Sequence, residues 1–130
     1  MNKLIVILVS TLVSLSLWAH EGHSNAPGSF KSLHGGSVQN GKELNLEIII
    51  SGKELTVYPT SHESKDVSEK DVKIVALAKP KKGKAYPLAF TFTKGAYKTT
   101  VDLQGANRLP VEITVQSHGK IDRFTIQIEE

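Results

Sequence analysis

The chain has 130 residues, a formal net charge of +3, 22% charged and 6% aromatic side chains, and no cysteine. The lack of cysteine excludes a disulfide framework, a thiolate metal site, a cysteine nucleophile and a lipid-accepting cysteine. The small positive excess is not the basic footprint of a nucleic-acid-binding protein. The only dense basic run is Lys79-Pro80-Lys81-Lys82-Gly83-Lys84, which reads as a solvated loop.

In chain order, residues 1–19 read as a cleavable signal peptide. Lys3 supplies the positive start, residues 4–17 are apolar apart from Ser and Thr, and Leu17-Trp18-Ala19 places a small residue at the cut. The apolar run is shorter than the roughly 20 residues that a spanning helix needs. The expected product is therefore periplasmic, with no membrane segment once the signal is removed. It would begin His20-Glu21-Gly22-His23, an amine, two imidazoles and a carboxylate in close succession. All of these are metal ligands.

Residues 20–37 are rich in Gly, Ser, Asn and His and include Pro27. They read as a flexible His- and Gly-rich arm. Residues 38–130 read as one β domain. Leu44, Leu46, Ile48 and Ile50 alternate with Glu43, Asn45 and Glu47, so the latter three face the other way. A two-residue turn at Ser51-Gly52 joins this strand to residues 53–59. That turn pairs Ile48 with Leu55, Leu46 with Val57, and Glu47 with Thr56 on the outer face. Further strands are predicted over 72–79, 86–93, 96–103, 109–117 and a last one carrying Phe124, Ile126 and Ile128. The Lys94-Gly95 turn pairs Phe92 with Tyr97 and Leu88 with Val101. A turn of unspecified length lies at residues 117–120. About seven alternating strands and no amphipathic helix predict an immunoglobulin-like antiparallel β-sandwich, here without a disulfide. Leu46, Ile48, Val57, Phe90, Val101, Ile113, Phe124 and Ile126 are the predicted core.

Five histidines are present: His20, His23, His34, His62 and His118. His20 and His23 are close enough to hold one ion together with a terminal amine. His34 precedes two glycines that permit a tight turn and leave the imidazole accessible. Glu47 lies on the outer face of its strand, and His62 lies just past the end of the partner strand. Taken singly, each reads as an ordinary turn, a solvated face or a loop histidine. Together they supply imidazole and carboxylate at the end of one hairpin, a set suited to zinc or copper(II).

The runs His34-Gly35-Gly36, Glu43-Leu44-Asn45-Leu46-Glu47 and Leu55-Thr56-Val57-Tyr58-Pro59 resemble a known pattern. It belongs to a small exported domain that occurs alone and at the start of periplasmic adaptor subunits of heavy-metal efflux pumps. The resemblance covers residues 20–65, and the remainder is similar only as β-rich sequence. The chain departs from that pattern at Pro59-Thr60-Ser61, where the family has an acidic residue near the strand end. The resemblance implies metal handling, with His34, Glu47 and His62 as candidate ligands. The His-Glu-Gly-His start is similar to the leaders of periplasmic copper and zinc proteins.

The single methionine is Met1, which leaves with the signal, so neither a methionine nor a cysteine copper(I) site can form within one chain. Copper(II) or zinc remains, and the Irving–Williams order favours copper(II) at a flexible N/O site. No nucleophile elbow, HExxH or phosphate loop is present, and no enzyme activity is expected. The expected function is a soluble periplasmic metal-binding protein acting as carrier, buffer or efflux accessory. Its partners would be the metal ion and a metal-efflux or envelope protein. The alternative is a non-metal envelope interaction module with a flexible His-bearing arm.

Overall fold

The computed structural model describes residues 31–130. The segment read as a signal peptide, and with it His20 and His23, lies outside the described residues. Nine strands are present among the described residues: β1 (Ser37–Asn40), β2 (Asn45–Ser51), β3 (Glu54–Thr60), β4 (Val72–Ala78), β5 (Tyr86–Leu88), β6 (Thr91–Thr93), β7 (Ala96–Thr100), β8 (Arg108–Ser117) and β9 (Lys120–Glu129). They form two antiparallel sheets, in the orders β1-β2-β3-β7-β6 and β5-β4-β8-β9. The fold is an all-β sandwich. Among the described residues no helix is long and apolar enough to cross a membrane.

Strand alternation builds the core, because successive side chains point to opposite faces of a sheet. Leu46, Ile48, Leu55 and Val57 come from the first sheet, and Val111, Ile113, Val115, Phe124, Ile126 and Ile128 from the second. All are buried, and they belong to one contiguous cluster. Phe90, expected inside, is only half-buried and packs at the edge of that cluster.

Residues 86–93 were expected to form one strand, and they form two in different sheets. Tyr86–Leu88 pairs with β4, so Leu88 faces Ala76 and not Val101. Thr91–Thr93 pairs with β7, and there the expected Phe92–Tyr97 pair does form. Ala89 and Phe90 carry the chain across the sandwich between the two sheets. A sandwich needs such corners, and a run of alternating residues does not reveal where the layer changes.

The β2–β3 hairpin keeps the predicted faces, but its register differs. Ile48 lies opposite Val57, Glu47 opposite Tyr58, and Leu46 opposite Pro59. The turn is Gly52-Lys53, one residue later than expected, with Ser51 and Glu54 as the closing pair. Gly52 has φ +58° at the first turn position, where a hairpin loop with positive φ takes glycine without steric cost. Moving the turn by one residue slides the pairing by two, and a slip of two leaves every side chain on its original face. The β8–β9 connection is the two-residue turn His118-Gly119 between Ser117 and Lys120, with φ +48° and +75°.

β1 was not anticipated as a strand. It runs along the outside of β2, pairing Val38 with Glu47 and Ser37 with Ile48. Its presence brings the preceding residues across the outer face of the first sheet, where the candidate site lies.

Candidate functional site

The centre of the site is Glu47, which is on the outer face but not in solvent. Its relative exposure is 0%. Residues 32–36, the described end of the arm, fold over it. Its carboxylate accepts hydrogen bonds from Ser32 Oγ at 2.6 Å, Leu33 N at 3.0 Å, His34 N at 2.8 Å and Gly36 N at 2.8 Å. His34 Nδ1 lies 3.0 Å from Glu47 Oε2. Ser32 Oγ also accepts from Gly35 N at 2.9 Å, which closes the turn on itself. Burial alone would raise the Glu47 pKa. The hydrogen bonds from Ser32, Gly36 and His34 outweigh it and hold the pKa at about 2.

The two glycines have distinct reasons. Gly35 has φ +81°, a left-handed conformation that a side chain disfavours. Gly36 is crowded. A Cβ there would lie 2.6 Å from the Ile48 carbonyl oxygen, 2.7 Å from Ile49 Cγ1 and 3.0 Å from Glu47 Cγ. Only glycine lets the backbone come close enough for its N–H to reach the carboxylate.

The His34 ring is fixed in three ways. It stacks on Tyr58, with centroids 3.7 Å apart and planes 5° from parallel. Its Nδ1 faces an ionised carboxylate, which can only accept, so Nδ1 carries the proton. Its Nε2 points to the other side, 3.5 Å from Asp66 Oδ1. The bridge between Thr60 and Asp66 brings Asp66 back beside the end of β3. The His34 side chain is 26% exposed and that of Asp66 63%, so this edge is open to solvent.

His62 is placed elsewhere. Its Nε2 donates to the Gly41 carbonyl at 3.0 Å, in the loop between β1 and β2. That loop folds around a second buried carboxylate, Asp122 on β9. Asp122 accepts from Lys42 N at 2.8 Å and from Glu43 N and Leu44 N at 2.9 Å each. Burial raises its pKa, but the three N–H groups and the nearby His62 lower it further, and the net shift is downward. A Cβ at Gly41 would collide with the Leu44 carbonyl oxygen and with Asp122. One carboxylate thus organises the loop before β2, and the other organises the segment before β1.

The structure brings His34 and Glu47 together and seats His62 on the Gly41 carbonyl. His20 and His23 lie outside the described residues. Among the described residues, no group of three or more His, Asp or Glu side chains is arranged to hold one ion. Asp66, Tyr58, Ser32 and Asp122 are site residues that sequence reasoning missed. A signal existed for Asp122, which shares its parity with Phe124, Ile126 and Ile128 and so had to point inward. For Glu47 the signal was Ile49, an apolar neighbour on the face read as solvated. Nothing in the spacing marked Asp66.

Chemically, the site presents one oriented imidazole nitrogen beside a solvent-facing carboxylate. A buried carboxylate behind the ring sets its tautomer and orientation.

No protein-family model matches the chain, and no curated protein matches it. A solved structure, that of a DUF4426 family protein from Pseudomonas aeruginosa PAO1, is similar in fold with a TM-score of 0.53. The two share 18% sequence identity over 72% of this chain and 96% of the other. At that identity the likeness concerns the fold alone.

Proposed function

We propose that this protein is an exported metal-binding protein of the cell envelope, taking copper(II) or zinc as cargo in the role of carrier, buffer or efflux accessory. One observation carries this reading. The Nδ1–H of His34 is held by Glu47 while Nε2 is directed outward, 3.5 Å from Asp66. A carboxylate behind a histidine is the usual outer partner of a metal-ligating imidazole. In this reading Glu47 orients the ligand and does not itself bind the ion, because its oxygens are already occupied by protein donors. His34 Nε2 and Asp66 supply two ligands. His20 and His23 are further imidazoles of the same arm, and export with cleavage after Ala19 would add a terminal amine.

The experiment is calorimetry of the exported protein with copper(II) and with zinc, after stripping by a chelator. Saturable binding that is weakened by His34→Ala and by Asp66→Asn supports the reading. No binding tighter than about 10 μM would remove it.

A second reading has its own observation. The five interactions on Glu47 explain the His-Gly-Gly run as a clasp that fastens the chain before β1 to the sheet. If the metal titration is blank, the reading left is an envelope interaction module in which that clasp is purely structural.

A further inference from the structure

We infer that β9 is a strand-pairing edge for a second copy of this chain, joined antiparallel about a two-fold axis at Thr125. Among the described residues β9 pairs only with β8, and its other side ends the second sheet. It is ten residues long, with β8 the longest strand of the sandwich. Its ladder with β8 runs without a bulge from Ser117–Lys120 to Arg108–Glu129. Exposed edges are normally blunted by proline, bulges, lysine or inward charges. β9 has an inward charge at Asp122, which the loop before β2 occupies. From Phe124 to Ile128 it has no proline, bulge or charged side chain.

The register follows from the turn. Ser117 and Lys120 close a two-residue hairpin, so they form a hydrogen-bonded pair, and bonding to β8 continues at alternate residues. Even-numbered residues of β9 therefore bond to β8. Odd-numbered residues present N–H and C=O to the open edge. The Gln39 side chain agrees with this, since its Nε2 reaches the Thr125 carbonyl at 3.4 Å. Pairing of odd with odd residues keeps the outer faces of both copies on one side. Centred on Thr125, it sets Thr125 against Thr125 of the second copy, Arg123 against Gln127, and Ile121 against Glu129. No like charges face each other. Arg123 lies diagonal to Glu129 of the second copy, within reach of long side chains. A groove of about 460 Å³, floored by Ile48, Ile50 and Ile126, separates this edge from β1. A second strand entering there displaces the long Gln39 contact to the Thr125 carbonyl.

The test uses the absence of cysteine in the chain. A single cysteine introduced as Thr125→Cys would face its own symmetry mate at about 5.5 Å between Cα atoms, within disulfide range. Val75→Cys, on the exposed face of β4, is the control, because it would lie strands away from the axis. With the exported protein under mild oxidant, Thr125→Cys should form a covalent dimer at least about tenfold faster than Val75→Cys. The unmodified protein should show a concentration-dependent dimer by sedimentation below about 1 mM. Thr125→Lys, at an exposed position, should leave the circular dichroism spectrum unchanged and weaken dimerisation by about tenfold, since two lysines would then meet at the axis. Equal cross-linking rates, a parent protein that stays monomeric to about 1 mM, or a folded Thr125→Lys variant that dimerises as well as the parent would each overturn the inference.

Discussion

The His34 imidazole lies face to face on Tyr58, the residue directly across the ladder from Glu47, at a centroid separation of 3.7 Å. The carboxylate that orients Nδ1 and the ring that supports the imidazole plane thus come from neighbouring strands in a fixed register. If His34 is a ligand, its support should show in affinity. Tyr58→Ala should weaken metal binding by about tenfold, the scale of losses on removing an outer-shell partner. Tyr58→Phe, which keeps the stacking face, should leave binding close to the parent value. Calorimetric titration of both variants with copper(II) or zinc distinguishes a stacked ligand from a solvated one.

Glu47→Gln is nearly isosteric but removes an acceptor that serves several donors at once. In either orientation an amide also turns its N–H groups toward donors: toward His34 N and Gly36 N in place of Oε1, or toward Leu33 N and His34 Nδ1 in place of Oε2. The expected loss is about 2–4 kcal/mol of unfolding free energy, read from urea denaturation. A loss below about 0.5 kcal/mol, the size of an ordinary surface change, would mean that the clasp contributes little to stability. In metal titrations, Glu47→Gln and His34→Ala should be less than additive, because both act through one imidazole.

The same carboxylate sets the acid response. Its folded pKa of about 2 lies below the ordinary value of 4.5. A lowered pKa means that its stabilisation is fully present above 4.5 and is lost as pH falls from there through 2. The amount at stake is roughly 3 kcal/mol. Asp122, also lowered, contributes with the same sign. Stability measured by denaturant titration at stepped pH should therefore decline across this window. It should decline less steeply in Glu47→Gln, which has no proton to take up there. Parallel curves would show that Glu47 is not the group responsible.

Gly36→Ala tests the close approach directly. The added methyl would meet the Ile48 carbonyl oxygen at 2.6 Å, a backbone atom that cannot rotate away. The expected destabilisation is about 1–3 kcal/mol. In proton NMR, the amide signals of residues 33–36 should shift toward those of the Glu47→Gln variant, because the same hydrogen bonds are disturbed. A variant as stable as the parent would show that residues 32–36 lie less tightly on the sheet.

Ile113 sits at the centre of β8 with 0% exposure. Ile113→Ala should cost about 2–5 kcal/mol, the range for opening a cavity in a packed core. A change of less than 1 kcal/mol would place this strand outside the core.

Much of the sandwich is legible along the chain because period-two alternation is a local property. Each of Leu46, Ile48, Val57, Val111, Ile113, Phe124 and Ile126 declares its face through its neighbours alone. The turn at Lys94-Gly95 is legible for a similar reason, since positive φ is needed there and Gly supplies it in sequence, whereas at residues 117–120 the place of the turn is legible and its length is not. The His-Gly-Gly run and Glu47 also stand out as residues, before anything is known of their contacts.

Only the tertiary structure decided what those residues do to one another. Alternation reports a face but not its cover, so Glu47 reads as solvated until β1 and residues 32–36 lie across it. Alternation also does not report which layer a strand joins, so the division of residues 86–93 between two sheets has no local sign. A buried carboxylate requires donors from several directions, and here they come from a segment more than ten residues away along the chain. Asp66 reaches His34 only because the chain after β3 folds back on Thr60. These are distances set by how strands stack and pair, and a one-dimensional pattern contains no such distances.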